Sequence, residues 1–281
     1  MTNKLFISLL MSLLVWNTSS QELIQRATKS MEYRFVDCSL LIIQGEKATI
    51  RITGRAQHSV DLKVSLVAKH KNQSTAVNDL KYIRFETKKN GTQLVLRNFY
   101  ERKNRKIESN LSVVYELTVP EQLAIQLNNL YGSVLLQTLG GNNSLEVAFG
   151  RLEMQSISGV AHLQLKYSNL IAGDVSGKLT GTLSKSDAVL TNCSASTDLS
   201  MSYGTLNASI LAKNKVFQVV GNRTEITVQL PSAEYSMDLQ TIHSHVEIDG
   251  KKAGSRYRST SSSPDKLILS TSYCPIKILQ K

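Results

Sequence analysis

Hydrophobic and polar residues alternate along most of the chain from residue 38 onward. The alternation comes in short runs that are bounded by Gly, Asn and Ser. A period of two is typical of β-strands that bury one face. The clearest runs in the first half are 49–53, 60–66, 82–85, 94–96 and 113–119. The pattern predicts an all-β protein, in which only residues 22–32 are compatible with a helical turn or two.

The second half of the chain repeats with a constant spacing of 18 residues. A fixed period near 20 residues is typical of a solenoid, in which each repeat contacts only its neighbours. The aligned segments are 127–136, 145–154, 163–172, 181–190, 199–208 and 217–226, with two further copies out of register at 239–248 and 269–278. The spacing therefore predicts stacked β-strand repeats over residues 126–281.

The alignment separates positions that face a shared core from positions that face solvent. Two predicted inward columns are Leu127, Leu145, Leu163, Gly181, Leu199 and Phe217, and then Leu139, Ile157, Val175, Cys193 and Leu211. A predicted outward column is Asn128, Glu146, Gln164, Thr182, Ser200 and Gln218. Another outward column, which is partly apolar, is Leu135, Glu153, Ile171, Val189 and Asn207. The tight-turn column is Gly132, Gly150, Ser168, Ser186, Gly204 and Asn222.

The N-terminus indicates export. Lys4 precedes an apolar run over residues 5–16, and small residues follow at 18–20. This arrangement predicts a signal peptide over residues 1–20. The run is too short to span a bilayer, which needs about 20 apolar residues, and no later run is long enough. We therefore expect a mature chain in the periplasm, at the cell surface or outside the cell, without a membrane-spanning segment.

The predicted division of the mature chain is into residues 21–125, which hold N-terminal strands and a basic hairpin arm, and residues 126–281. We expect one continuous domain from residue 36 onward, with end caps at residues 22–36 and 251–281. Removing residues 1–20 takes away one Lys and no acidic residue, so the formal net charge falls from +11 to +10. The oligomeric state is left open by the sequence.

Candidate ligand contacts lie on the basic arm. Asn90-Gly91 lies between two alternating runs and predicts a tight hairpin turn, since both residues tolerate positive φ. A cationic arm attracts acidic glycans or phosphates, whereas a solvated loop that protects an edge strand is the simpler alternative. The candidate contacts are Phe99, Tyr100, Arg102, Lys103, Arg105 and Lys106.

An aromatic residue precedes the turn column in several repeats, as Tyr131, Phe149, Tyr167 and Tyr203. His243 and Tyr273 occupy the same place in the outlying copies. Stacked rings could bind sugars through their faces. The favoured interpretation is a corner ladder in which each ring packs on the next.

Metal, cofactor and nucleophile signals are weak. Cys38, Cys193 and Cys274 are too few and too scattered for a disulfide framework or a zinc site, and a pairing of Cys38 with Cys274 is left open. His243 and His245 share one face of a strand, but no acidic or Cys residue follows at ligand spacing. We expect no cofactor, no metal and no catalytic residue, and an exported chain without a recognisable reading module predicts no nucleic-acid partner.

The repeated aromatic–Gly–x–apolar–x–apolar unit resembles the bacterial auto-transporter adhesin, head GIN domain family, an adhesin-like group. The strand ending at 115–120 and the closing segment 272–278 match that likeness, although Cys274 stands where a Gly is expected. The resemblance covers most of residues 36–280. It implies a right-handed parallel β-helix-like fold, a place in the cell envelope and no known catalysis.

Three functional hypotheses follow from the sequence. The first is a non-catalytic adhesin that binds surface polysaccharide or an envelope protein, and the second is a structural or regulatory envelope component without glycan binding. The third is a polysaccharide-active enzyme, since parallel β-helices host such enzymes. Paired carboxylates would be needed, and only Glu153 and Glu225 share a column in the alignment, about 19 Å apart. We therefore expect no enzyme.

Overall fold

The structure is a computed structural model that describes residues 24–101, 107–211, 215–231 and 235–280. The all-β prediction is confirmed. The first strands are β1 (Gln25–Val36), β2 (Leu40–Glu46), β3 (Ala48–Arg55), β4 (Ser59–His70), β5 (Ile83–Asn90), β6 (Gln93–Tyr100) and β7 (Asn110–Pro120). The repeats form β8 (Ala124–Leu130), β9 (Ser133–Leu139), β10 (Asn142–Ala148), β11 (Arg151–Ile157), β12 (Val160–Lys166), β13 (Asn169–Val175), β14 (Lys178–Ser184), β15 (Ala188–Cys193), β16 (Ser196–Ile210) and β17 (Val216–Leu230).

The C-terminal part continues in strands, and the helical content lies early in the chain. The last strands are β18 (Ser236–Ile242), β19 (Val246–Ile248), β20 (Lys251–Lys252), β21 (Arg256–Arg258), β22 (Lys266–Ser272) and β23 (Ile276–Gln280). Helix α1 (Gln73–Asp79) is followed by a 3-10 turn at Leu80–Tyr82. The signal peptide predicted over residues 1–20 lies outside the described residues.

The sequence expectation about where a helical turn lies is wrong. Residues 25–32 belong to β1, which pairs antiparallel with β4 over its whole length. The α-helix lies instead at α1, where Asn72 is the N-cap and its side chain accepts hydrogen bonds from Ser74 N and Thr75 N. Satisfying two amide groups at the helix start stabilises this short helix. The sequence interpretation missed it because seven residues are too few for a visible helical period.

The repeats alternate between two strand ladders. In the first ladder β8, β10, β12, β14 and the first half of β16 pair in parallel, so that Leu127, Leu145 and Leu163 lie side by side. In the second ladder β9, β11, β13, β15 and the second half of β16 pair in the same way. Each repeat contributes one strand to each ladder and is called a rung below. The apolar side chains of both ladders form one buried core.

The same pairing extends towards the N-terminus, although not in chain order. Strands β2 and β3 pair in parallel with β8 and β9. On their other side β6 and β7 pair in parallel with β2 and β3. Antiparallel strands end the ladders, as β5 pairs with β6 and β4 joins β7 to β1. The rung of β2 and β3 therefore lies between two rungs that follow it in the sequence.

The C-terminal rungs also depart from chain order. Strands β22 and β23 lie between β17 on one side and β18 and β19 on the other, with parallel pairing throughout. The expectation that residues 251–281 form a terminal cap is therefore wrong for β22 and β23, which are an internal rung. Only β20 and β21 are terminal, and they pair antiparallel with β19 and β18.

The 18-residue register breaks between β16 and β17. Leu206 pairs with Ile226 and Thr197 with Phe217, so the offset there is two residues longer than in the earlier rungs. An even shift keeps every side chain on its own face, which is why the alternation continues unbroken. The predicted alignment of Phe217 with Leu199, Asn222 with Gly204 and Gln218 with Ser200 is therefore wrong.

One inward column also ends differently from the prediction. Cys193 is buried in the column of Leu139, Ile157 and Val175, as the alignment indicates. Its next neighbour is Ile210, which is buried, and Leu211 is exposed. A register irregularity between Leu190 and Cys193 shifts the pairing by one residue.

Candidate binding surfaces

The outward side of the first ladder is a flat polar face. Like positions of neighbouring strands face solvent in two rows, one of which is Asn128, Glu146, Gln164, Thr182 and Ser200. The second row is Gln126, Ser144, His162, Thr180 and Asp198. Val220, not Gln218, follows Ser200 in the first row. The rows place polar groups at the spacing of strands, about 4.8 Å.

Contacts within this face hold some of its side chains in place. Asn128 donates a hydrogen bond to Glu146 at 2.8 Å, and the His162 ring lies 3.1 Å from the Thr180 hydroxyl. A shallow depression of about 290 Å³ lies beside the Asn128–Glu146 pair and is also lined by Gln126. Shallow clefts with ordered amide and hydroxyl groups suit the hydrogen-bonding groups of sugars.

A partly apolar row crosses the outward side of the second ladder. Leu135, Glu153, Ile171 and Val189 lie on neighbouring paired strands. Ile171 is 38% exposed and Val189 is 41% exposed. Adjacent exposed aliphatic side chains are typical of protein contacts rather than of carbohydrate contacts.

The corner between the two ladders carries a continuous row of residues, which we call the corner column. Each member lies in the left-handed region, with φ between 49° and 63°. In spatial order the corner column is Lys47, Tyr131, Phe149, Tyr167, Lys185, Tyr203, Arg223, Tyr273 and His243. The corner-ladder interpretation matches this geometry, and the structure adds three cations to it.

The rings of the corner column stack on one another. The centroids of Tyr131 and Phe149 are 5.1 Å apart, those of Phe149 and Tyr167 are 4.9 Å apart, and those of His243 and Tyr273 are 4.9 Å apart. The column is nevertheless open to solvent, since Tyr131 is 49% exposed and Tyr273 is 57% exposed. Neighbouring rings cover both faces of Phe149 and one face each of Tyr131 and Tyr167, so ring edges and hydroxyl groups are the main groups that a ligand can reach.

The cations of the corner column contact the rings beside them. Lys185 Nζ donates a hydrogen bond to Tyr167 Oη at 2.9 Å and lies 4.9 Å from the ring centroid. That hydrogen bond lowers the pKa of the Tyr167 phenol and raises the pKa of Lys185. The Arg223 guanidinium carbon lies 5.4 Å from the Tyr203 centroid and 5.5 Å from the Tyr273 centroid. Contacts of this kind hold a cation at the surface without neutralising it.

The structure describes only two of the six ligand contacts predicted on the basic arm, Phe99 and Tyr100. Arg102, Lys103, Arg105 and Lys106 lie outside the described residues. The hairpin turn at Asn90-Gly91 is formed between β5 and β6, with positive φ at Gly91. Phe99 and Tyr100 belong to β6 and pair with β5.

Tyr100 packs against the core and does not project on a free arm. Burial raises the pKa of its phenol. Its hydroxyl and that of buried Ser109 have no hydrogen-bond partner among the residues that the structure describes, and both residues line a cavity of about 150 Å³. Lys47 Nζ lies 5.7 Å from the Tyr100 ring centroid. A ligand role for Phe99 and Tyr100 stays a prediction.

A larger groove of about 730 Å³ crosses β1, β4, β7 and β3, and four of its charged side chains form two pairs with one another. Arg34 donates to Asp61 at 2.6 Å, and this contact lowers the pKa of the Asp61 carboxyl. Arg51 lies 3.9 Å from Glu116. Internal pairing leaves few charges here for a ligand.

The carboxylates and cysteines do not form a shared site among the described residues. Glu153 pairs with Arg151 at 2.8 Å and Glu225 with Lys277 at 2.6 Å, and the longer register of β17 puts the two glutamates in different rows. The described chain holds no group of His, Cys, Asp and Glu that is suited to a metal, and Cys38, Cys193 and Cys274 are free. The described residues also include no helix long and apolar enough to span a membrane.

Comparison with known proteins gives structural likenesses only. No family model and no curated protein matches the chain. A candidate cell adhesion protein from Clostridium sporogenes is similar at 13% identity, covering 90% of this chain and 100% of that chain, with a TM-score of 0.28. A candidate adhesin from Bacteroides fragilis is similar at 12% identity, covering 90% and 97%, with a TM-score of 0.34.

A third similar structure is a candidate lipid binding protein from Parabacteroides distasonis. The identity is 12%, the coverage is 89% of this chain and 96% of that chain, and the TM-score is 0.42. These TM-scores are low, so no conclusion about this chain rests on the likenesses.

Sequence reasoning found the rings of the corner column but missed the role of its cations. Lys185 stands at the aromatic position of its repeat, and the spacing alone would have shown this. Arg223 was hidden by the longer register of β17. Lys47 was hidden because the rung of β2 and β3 lies far from β8 and β9 in the sequence.

Proposed function

We propose that this chain is a non-catalytic, exported, adhesin-like protein that binds polysaccharide of a cell envelope on the flat polar face of the first ladder. The single observation that carries the proposal is the pair of exposed polar rows that contain Gln126 and Asn128. A polymer with a regular repeat meets the same kind of group at each strand. The fold we propose for this surface is a right-handed parallel β-solenoid, continuous from residue 36 onward.

The experiment is a binding assay of the chain from residue 21 to 281, the predicted mature form. A glycan array is probed at low and at physiological salt, because salt screens simple attraction of polyanions to a basic protein. We expect retention of one polysaccharide class that persists at physiological salt. Binding that disappears at physiological salt for every glycan would contradict the proposal.

Two variants localise the binding. Replacing Gln126 and Asn128 by Ala removes amide groups beside the depression, and we expect at least about a tenfold loss of affinity, as for one or two hydrogen bonds. Replacing Thr191 and Ser209 by Ala on the second ladder is the matched control, with little change expected. Equal losses in both variants would show that the flat polar face is not the site.

A second candidate function is contact with an envelope protein through the apolar row of the second ladder. Ile171 and Val189 carry this candidate because they are adjacent and exposed. Capture of one specific envelope protein that is lost in the Ile171→Ser and Val189→Ser variants, without any glycan signal, would support it. That result would also remove the glycan proposal.

A further inference from the structure

The corner column has the chemistry of a binding site for an extended polyanion. It contains Lys47, Lys185 and Arg223 and no acidic residue. Four exposed rings add hydroxyl groups along the same line, namely those of Tyr131, Tyr167, Tyr203 and Tyr273. Nine positions at the strand spacing extend over roughly 38 Å. The site is therefore long, narrow, hydroxylated and positive.

The two central cations are available to a ligand. Among the residues that the structure describes, neither Lys185 nor Arg223 forms an ion pair with a carboxylate. The nearest acids in the sequence have other partners. Asp187 accepts hydrogen bonds from the amide and hydroxyl groups of Thr205, and Glu225 pairs with Lys277. The cations stand about 10 Å apart, two strand steps along the column.

The exposed groups favour an acidic glycan over a lipid surface. Most ring faces of the corner column lie against a neighbouring ring or cation, which leaves little room for face-on sugar stacking or for the insertion of flat apolar surface. The groups that a ligand can reach are phenol hydroxyls and cations. Phenol hydroxyls donate hydrogen bonds to carboxylates, and cations form ion pairs with carboxylates. Only Phe149 presents a wholly apolar edge. Membrane-binding surfaces instead combine cations with a broad apolar side.

We propose that the corner column binds a linear acidic polysaccharide of the polyuronate class, with Lys185 and Arg223 pairing with its carboxylates. The inference rests on the proposed function because both require that the chain binds glycan. It differs in placing the glycan on the corner column and in naming the ligand class. The strand spacing along the column is comparable to the length of one sugar in an extended chain. Successive carboxylates can thus meet successive rungs.

The test measures binding of the chain 21–281 to polygalacturonate and to neutral dextran at physiological salt. A double variant, called the ridge variant, carries Lys185→Gln with Arg223→Gln and so removes the two central cations of the corner column. The control variant carries Lys178→Gln with Lys266→Gln, two exposed lysines outside the corner column, and has the same net charge. We expect polygalacturonate affinity to fall at least about tenfold in the ridge variant and less than twofold in the control.

A third variant separates the hydroxyl contribution from folding. Tyr167→Phe with Tyr203→Phe keeps the rings and removes two donors, and we expect a loss of about threefold to tenfold with unchanged circular dichroism. Equal loss in the ridge and control variants would overturn the inference, since net charge alone would then explain binding.

Two further outcomes distinguish this inference from its alternatives. Binding to vesicles that contain phosphatidylglycerol, lost in the ridge variant and without polygalacturonate binding, would overturn the glycan ligand in favour of a membrane. Binding of neutral glycan that depends on Gln126 and Asn128 but not on Lys185 and Arg223 would overturn the corner site while leaving the proposed function intact.

Discussion

At the residue scale, the corner column shows how side chains offset an unfavourable backbone conformation. Non-glycine residues in the left-handed region cost about 1 kcal/mol or more each. Phe149 adopts φ of 55° and stacks on Tyr131 and on Tyr167. Each ring pair contributes about 0.5–1.5 kcal/mol beyond area burial. The stacking is of the right size to offset the strain.

Replacing Phe149 by Ala tests this balance. The variant keeps the left-handed backbone and loses both ring contacts, so we expect the free energy of unfolding to fall by about 1–3 kcal/mol. Phe149→Tyr is the control and should change stability by a few tenths of a kcal/mol, because Tyr fills the equivalent place in neighbouring rungs. Urea denaturation measures both. Equal stability of the Ala variant and the parent would show that the stack contributes nothing.

The three cysteines should differ in reactivity. Burial raises the pKa of the Cys38 thiol and of the Cys193 thiol, and the thiolate is the reactive form. Access separates the two, because Cys193 lies in the buried core. Cys38 and Cys274 are only half-buried. At mildly alkaline pH we expect a thiol-specific chromogenic reagent to modify two thiols in the native protein and the third only after denaturation.

The Cys193→Ala variant provides the control for that assay. It should remove the thiol that reacts only after denaturation and leave the reaction of the other two thiols in the native protein unchanged. A fast reaction of all three thiols in the native protein would mean that the second ladder opens near Cys193 far more readily than a packed core does.

At the element scale, repeats that match in sequence differ in backbone geometry. Gly181 stands in an inward column of large aliphatic residues, between Leu163 and Leu199. The repeat pattern would favour Leu there. The backbone argues against it, because Gly181 has φ of 152° and a Cβ atom would meet the carbonyl oxygen of Leu163.

We therefore expect Gly181→Leu to be destabilising, by roughly 1–3 kcal/mol or more, from backbone strain together with overpacking. Thr182→Ala, on the outward side of the same strand, should have little effect. The midpoint of thermal unfolding measures both variants. A more stable Gly181→Leu protein would show that β14 relaxes into the geometry of its neighbours.

The strands and their faces could be predicted from sequence because burial imposes a period of two. The same alternation placed Asn128, Glu146 and Gln164 on one exposed row. The alternation could not reveal the extra two residues before β17, since an even shift preserves it. It also could not reveal Lys47 in the corner column, since strand neighbours far apart in sequence leave no period.

At the scale of the whole molecule, the ends of the ladders share one arrangement. The rung of β2 and β3 lies between the rung of β6 and β7 and the rung of β8 and β9. The rung of β22 and β23 lies between β17 and the rung of β18 and β19. In both cases the inserted rung is not next in chain order to the rungs that flank it. The outermost long strands carry charge, with Lys88 and Lys89 on β5 and Arg26 and Lys29 on β1. Charged edge strands resist pairing with further copies.

The internal position of β22 and β23 makes the C-terminus essential to the stack. A simple terminal rung could be removed with only local fraying, as in repeat proteins whose units contact nearest neighbours. Here, truncation after Pro264 would remove the strands that join β17 to β18 and β19. It would uncover the buried side chains that flank Leu269 on the two sides, Val219 and Leu239.

We expect the truncated chain to lose amide-exchange protection throughout residues 236–248 and to expose apolar surface that binds a hydrophobic dye. The control removes only residue 281 and should keep the protection of the parent. Hydrogen exchange followed by mass spectrometry separates the two outcomes by segment. Retained protection of residues 236–248 after truncation would mean that this rung docks directly on β17, and the internal placement of β22 and β23 would then not be required for the stack.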